Sequence, residues 1–197
     1  MSNTFSIRFD FACPPDARRV AEVLARPSFR SLDRISGRVR DRWSDHVPSN
    51  AETIASYLAN GTYDAVSLDS KGAELVASAE IETSLRNRNE SLTAMLGYVV
   101  LPNANIDDVC ALAVALDVSA GFIALEPSYG QAHRLAVGAS RPKERDGLGD
   151  ERWRGRRARD WYADQIETKV ATVEWGLFLG VKHVIDLDRL RGAFQRI

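Results

Sequence analysis

The sequence is short of cysteine, of histidine and of long apolar runs, and each shortage removes a class of protein. Among 197 residues there are two cysteines, Cys13 and Cys110. That is too few for a disulfide scaffold or for a structural zinc site of the usual two-pair spacing, so reduced thiols, buried or half-buried, are expected. No apolar stretch reaches the roughly 18 residues that a membrane-spanning helix needs. The opening residues place Arg8 where a secretory leader would need its apolar core, so a cytoplasmic protein with no membrane partner is expected. His46, His133 and His183 lie in separate segments, none spaced to share a metal with another ligand. They read as solvated or core-satisfied side chains, and neither a metal nor a cofactor is expected. There is no glycine-rich phosphate loop, no Gly-x-Ser-x-Gly elbow and no His-Glu-x-x-His pair. No catalytic residue is assigned, and the chain is not expected to be an enzyme.

What is present is a globular composition, 45% hydrophobic and 27% charged, enough for one sizeable core. Net charge is −1, but its distribution is uneven. Residues 44–126 hold 12 acids against 3 bases, a net of −9, whereas the two flanks together hold 23 bases and 15 acids, a net of +8. If the segments fold onto different faces, one surface is acidic and another basic.

Period-two alternation marks a strand over 5–11, with Phe5, Ile7, Phe9 and Phe11 inward and Ser6, Arg8 and Asp10 on the other side. Pro14-Pro15-Asp16 opens a helix that ends before Pro27. A second strand is expected over 35–43, with Arg38, Arg40 and Arg42 as a basic outer row. A capped helix carrying Ile54, Tyr57 and Leu58 follows. Short connections then predict an antiparallel meander over 63–69, 73–85 and 91–101. In its middle strand Leu75, Ala77, Ala79 and Ile81 face the core, and Glu74, Ser78, Glu80 and Glu82 share the outer face.

Asn105 caps a helix with Asp107 and Asp108 in its first turn and Ile106, Val109, Cys110 and Ala113 as its buried stripe. A strand over 121–126 and a helix over 128–137 come next. Residues 141–160 have no apolar periodicity and carry 8 bases, 5 acids and three glycines, so a mobile charged loop is expected over about 141–158. A helix from Ala158, a strand over 173–180 and a closing helix capped by Asp188 complete the chain. The expected architecture is a single α+β domain over 1–197, a mainly antiparallel sheet of about six or seven strands flanked by helices.

Three other features are open to a chemical reading. Asp69-Ser70-Lys71 has an acid and a lysine in the order of restriction-type nucleases, but it falls in a predicted hairpin turn with no second acid beside it. Arg152, Arg154, Arg156, Arg157 and Arg159 beside Trp153 and Trp161 suit nucleic-acid contact, yet five acids in the same loop and the slightly acidic chain argue against it. The order of elements after Tyr63 resembles the core of the GNAT-type N-acyltransferases. Their coenzyme A loop would fall on residues 102–108, where there is no glycine and where Asp107 and Asp108 repel phosphate.

Residues 121–130 together with residues 174–183, whose Trp175-Gly176-Leu177-Phe178-Leu179-Gly180 strand is followed by an expected helix, and the overall length resemble the pattern of bacterial polymorphic-toxin immunity proteins, especially immunity-protein family fifty-two. The resemblance implies a non-enzymatic inhibitor whose partner is a cognate toxin, of nuclease type, encoded by the same genome. Within that motif Trp175, Gly176, Phe178 and Gly180 read as fold residues. The partner contacts fall instead on the acidic segment, with Glu74, Glu80, Glu82 and Asp69 as candidates, because nuclease toxins carry positive clefts.

Overall fold

The computed structural model describes residues 4–59, 61–72, 76–84, 95–137 and, as backbone, 176–179. Its centre is β1 (Thr4–Phe11), where the alternating aromatics fall. β1 lies between β7 (Met95–Leu101) and β8 (Val118–Glu126), antiparallel to both. The sheet extends on one side through β6 (Ser78–Glu82), β5 (Ala65–Asp69), β2 (Arg34–Val39) and β3 (Arg42–Trp43), and on the other to β9 (Gly176–Leu179). β4 (Val47–Pro48) also pairs with β2, which makes nine strands among the described residues, all joined antiparallel. The α+β architecture is as expected. The strand count rises because residues 35–43 do not form one strand: the chain reverses at Arg40, whose φ of 55° is left-handed, so β3 folds back on β2 and sets Trp43 opposite Arg38. The basic row of Arg38, Arg40 and Arg42 is broken by that turn.

Helices α1 (Ala17–Leu24), α2 (Ala51–Leu58) and α3 (Ile106–Ala115) cover one face of the sheet. Their starts follow local capping chemistry: the Asp16, Asn50 and Asn105 side chains each accept a backbone N–H of the first turn. Against them lie Ile7, Phe9, Phe11, Ile35, Leu68, Ile81 and Leu101, each shut from solvent. Such burial contributes about 1.5–3 kcal/mol per large side chain. The buried stripe of α3 is Val109, Leu112, Ala113 and Leu116; Ile106 and Cys110, expected inside, are exposed, as is Val114. The helix therefore meets the sheet by a face rotated away from Ile106 and Cys110 toward Leu112 and Leu116. Cys13 is exposed too.

The second face carries one described helix, α4 (Tyr129–Ala136), capped by Ser128 and laid over β1, β7 and β8. It buries Val100, Ala132 and Ala136 in a smaller cluster with Tyr98. Ser6, Arg8 and Asp10, read as the open side of β1, are 0–2% exposed. Ser6 donates to the Ala132 carbonyl at 2.8 Å, and Arg8 and Asp10 form an ion pair at 3.0 Å. The expected strand over 173–180 includes β9, where Phe178 pairs with Gly121 and Gly176 with Ile123. Trp175 and Gly180, the loop over 141–158 and the helices expected from Ala158 and Asp188 lie outside the described residues.

Candidate functional site

Registers across the sheet assemble a polar face that α4 covers in part. Ser36 of β2 stands opposite Ser67, Ser67 opposite Glu80, and Glu80 opposite Tyr98; on a neighbouring row Arg34, Asp69 and Ser78 align. Alternation places all of these on one face. Glu80, Glu82 and Asp69 thus share a face as the sequence suggests, while Glu74 lies outside the described residues. That face is not a solvated row of acids. Glu82 is 9% exposed, and its Oε2 accepts the Leu96 backbone N–H at 2.6 Å, so it joins β6 to the start of β7.

Glu80 is half-buried. The Arg38 guanidinium lies 3.6 Å from its Oε1 and also over the Trp43 ring at 5.4 Å. Burial pushes the Glu80 carboxyl above its ordinary value, against the pull of Arg38, and the charges of Glu82 and Asp69 add to the rise. Tyr98, opposite Glu80 in the register, has its hydroxyl 3.2 Å from His133 Nε2. Burial raises the Tyr98 pKa, the Glu80 charge raises it further, and burial lowers that of His133. Tyr129 stacks on His133 with ring centroids 5.8 Å apart and donates to Ser78 Oγ at 2.9 Å.

At the other end of the face, His46 Nε2 sits 3.2 Å from Asp69 Oδ2 and 3.4 Å from Ser36 Oγ, and Ser67 donates to the same Asp69 oxygen. Serine, histidine and aspartate are together here, but both partners meet one ring nitrogen. A nucleophile triad needs the acid on one nitrogen and the hydroxyl on the other. This cluster holds the β4 segment to β2 and β5 and does not activate Ser36. Asp69-Ser70-Lys71 sits where a turn was expected: Asp69 ends β5 and the Lys71 N–H bonds Asp33. Asp107 and Asp108 fill the first turn of α3, with Asp108 held by Arg26 and Ser28. Among the described residues no group of three or more His, Cys, Asp or Glu is placed to hold a metal ion.

Two cavities open beside this face. A polar one of about 340 Å³ is bounded by Glu80, Glu82, Asp64 and Asp41 and by Arg38 and Arg40. The other, about 460 Å³, is bounded by Pro14, Val39, Tyr63 and Met95, and Asp64 and Ser84 line both. Asp64 is fixed there: its carboxylate accepts the Arg40 N–H at 2.7 Å and the Ser84 hydroxyl at 3.2 Å. Sequence reasoning singled out neither Tyr98 nor Asp64, and it read His46 and His133 as solvated or core-satisfied side chains, in keeping with the bonds they make. The one local sign was the acidic excess of residues 44–126, which includes Asp64. Comparison with protein-family models, with curated proteins and with solved structures finds no match to this chain.

Proposed function

We propose that the protein is an immunity-type inhibitor that binds a cognate toxin, of the nuclease type, by stoichiometric protein contact. The observation that carries the reading is the polar cavity, whose wall holds, among the described residues, four carboxylates and two guanidinium groups. A nuclease holds phosphate with a positive cleft, and an acidic concavity complements such a cleft, speeds encounter and repels nucleic acid. The resemblance of the strand around Gly176 and Phe178 to immunity-protein family fifty-two supports the same reading. An acyltransferase is disfavoured by Asp107 and Asp108 in the first turn of α3, which repel a pyrophosphate.

Burial decides how this is tested. A lysine at Glu82 would break the bond to Leu96 and destabilise the fold, so loss of function there would say nothing about contact. Asp41 is exposed and borders the cavity. Asp41→Lys is expected to change stability by less than about 0.5 kcal/mol. It should weaken protection of cells that express the toxin encoded beside this gene. Full protection by the variant would remove the polar cavity as the contact surface.

A further inference from the structure

The two cavities differ in chemistry, yet Asp64 and Ser84 stand in the wall of both. On one side are the Tyr63 ring, Val39, Pro14 and Met95; on the other are the carboxylates of Glu80, Glu82 and Asp41. The dividing wall is built firmly. Asp64 accepts from Arg40 and Ser84, its own N–H donates to the Arg38 carbonyl at 2.7 Å, and the Thr83 N–H donates to its carbonyl at 3.0 Å. Tyr63, on the apolar side, is stacked on Tyr57 with ring centroids 4.8 Å apart. Val39, which lines the apolar cavity, is 49% exposed, the kind of apolar surface that interfaces use as anchors.

Each volume is large enough to admit a leucine or arginine side chain. A shared wall puts the two within reach of neighbouring residues in one extended segment, which rises about 3.3 Å per residue. The excess of carboxylates selects a cation for the polar side and repels phosphate, which separates a protein segment from a nucleic acid.

We propose that the paired cavities receive a partner-protein segment that carries an apolar side chain next to a lysine or arginine. The apolar group enters beside Tyr63 and Val39, and the cation enters beside Glu80 and Asp41. This rests on the inhibitor reading and names the chemistry of the partner at that site.

The test uses the full chain, labelled with nitrogen-15, and four blocked peptides: acetyl-Gly-Leu-Arg-Gly-amide and its Leu→Ala, Arg→Glu and Leu-to-Ala plus Arg-to-Glu versions. Shifts at Tyr63, Asp64, Ser84 and Glu80 are expected with the Leu-Arg peptide, at an affinity at least fivefold above each single replacement. Thr62→Trp, placed at the exposed mouth of the apolar cavity, and Asp41→Lys should each lower that affinity at least fivefold, with folding checked by circular dichroism. Equal binding of the Arg and Glu peptides, binding of guanidinium alone as tightly as the peptide, or no shifts at 10-millimolar-range peptide (about 10 mM, where a single buried side chain should register) would each overturn the proposal. Toxin neutralisation separates the two ideas. If both variants neutralise like the natural sequence, the inhibitor reading stands and the paired site falls. If the peptide binds but the natural sequence does not neutralise, the site stands and the inhibitor reading falls.

Discussion

Replacing Gly37 by alanine tests the packing that shapes the apolar cavity. A Cβ at Gly37 would sit 2.3–2.5 Å from the Cδ1, Cγ and Cε1 atoms of Tyr63. Carbon atoms in contact rest about 3.5–4.0 Å apart, so the ring must retreat by about 1 Å or more. Its other face is stacked on Tyr57 at an interplanar angle of 24°, so the retreat separates the rings or tilts Tyr63 into the cavity. Overpacking costs about 1–3 kcal/mol, and a lost aromatic pair adds about 0.5–1.5 kcal/mol. Gly37→Ala is therefore expected to lower stability by about 2–4 kcal/mol in urea unfolding followed by fluorescence and circular dichroism. In a Tyr63→Ala background the same change should cost less than about 0.5 kcal/mol, because the clash is gone. A loss below about 0.5 kcal/mol in the natural background would show that the ring yields freely and that Gly37 is not needed for its placement.

Asp10→Ala leaves the Arg8 guanidinium in a site where both side chains are 3% exposed, and denaturation should show a loss of about 3–5 kcal/mol. Arg40→Gly relieves a left-handed backbone at φ 55°, so stability should rise by about 0.5–1 kcal/mol, net of the extra freedom of the unfolded glycine. Glu80 has a raised carboxyl pKa in the folded state, so its favourable contribution is full below the ordinary value of 4.5 and is lost as pH rises through the raised one. Glu80→Gln should remove that fall in stability from the pH profile. His133, shifted the other way, destabilises as pH drops below its ordinary value of 6.5, and a profile of His133→Gln isolates it.

How far the sequence could be read depended on whether a signal was local. The alternation of Phe5, Ile7, Phe9 and Phe11 needs only one strand, and the caps at Asp16, Asn50 and Asn105 need only one turn, so these were legible. Ser6, Arg8 and Asp10 look like an open face because nothing in residues 4–11 reveals that α4, more than 120 positions later by the Ser6–Ala132 bond, lies over them. The acid row of β6 was placed on the correct face, but the Glu82–Leu96 bond that draws it inward is a long-range contact. The reversal at Arg40 escaped notice because it lacks the glycine or asparagine that marks most hairpin turns and depends on Asp64 from a distant segment. The two cavities arise where separate stretches of the chain, around residues 39, 64, 84 and 96, meet, and no local pattern encodes such a junction.

The most direct test of the inhibitor reading is a calorimetric titration of the protein into the purified toxin domain that this reading expects to be encoded beside its gene, with toxin activity measured in the same samples. The prediction is one-to-one binding, full loss of toxin activity at equivalence and an affinity that falls as salt is raised, as an acidic cavity on a positive cleft requires. No heat of binding, with undiminished toxin activity at excess protein, would contradict it.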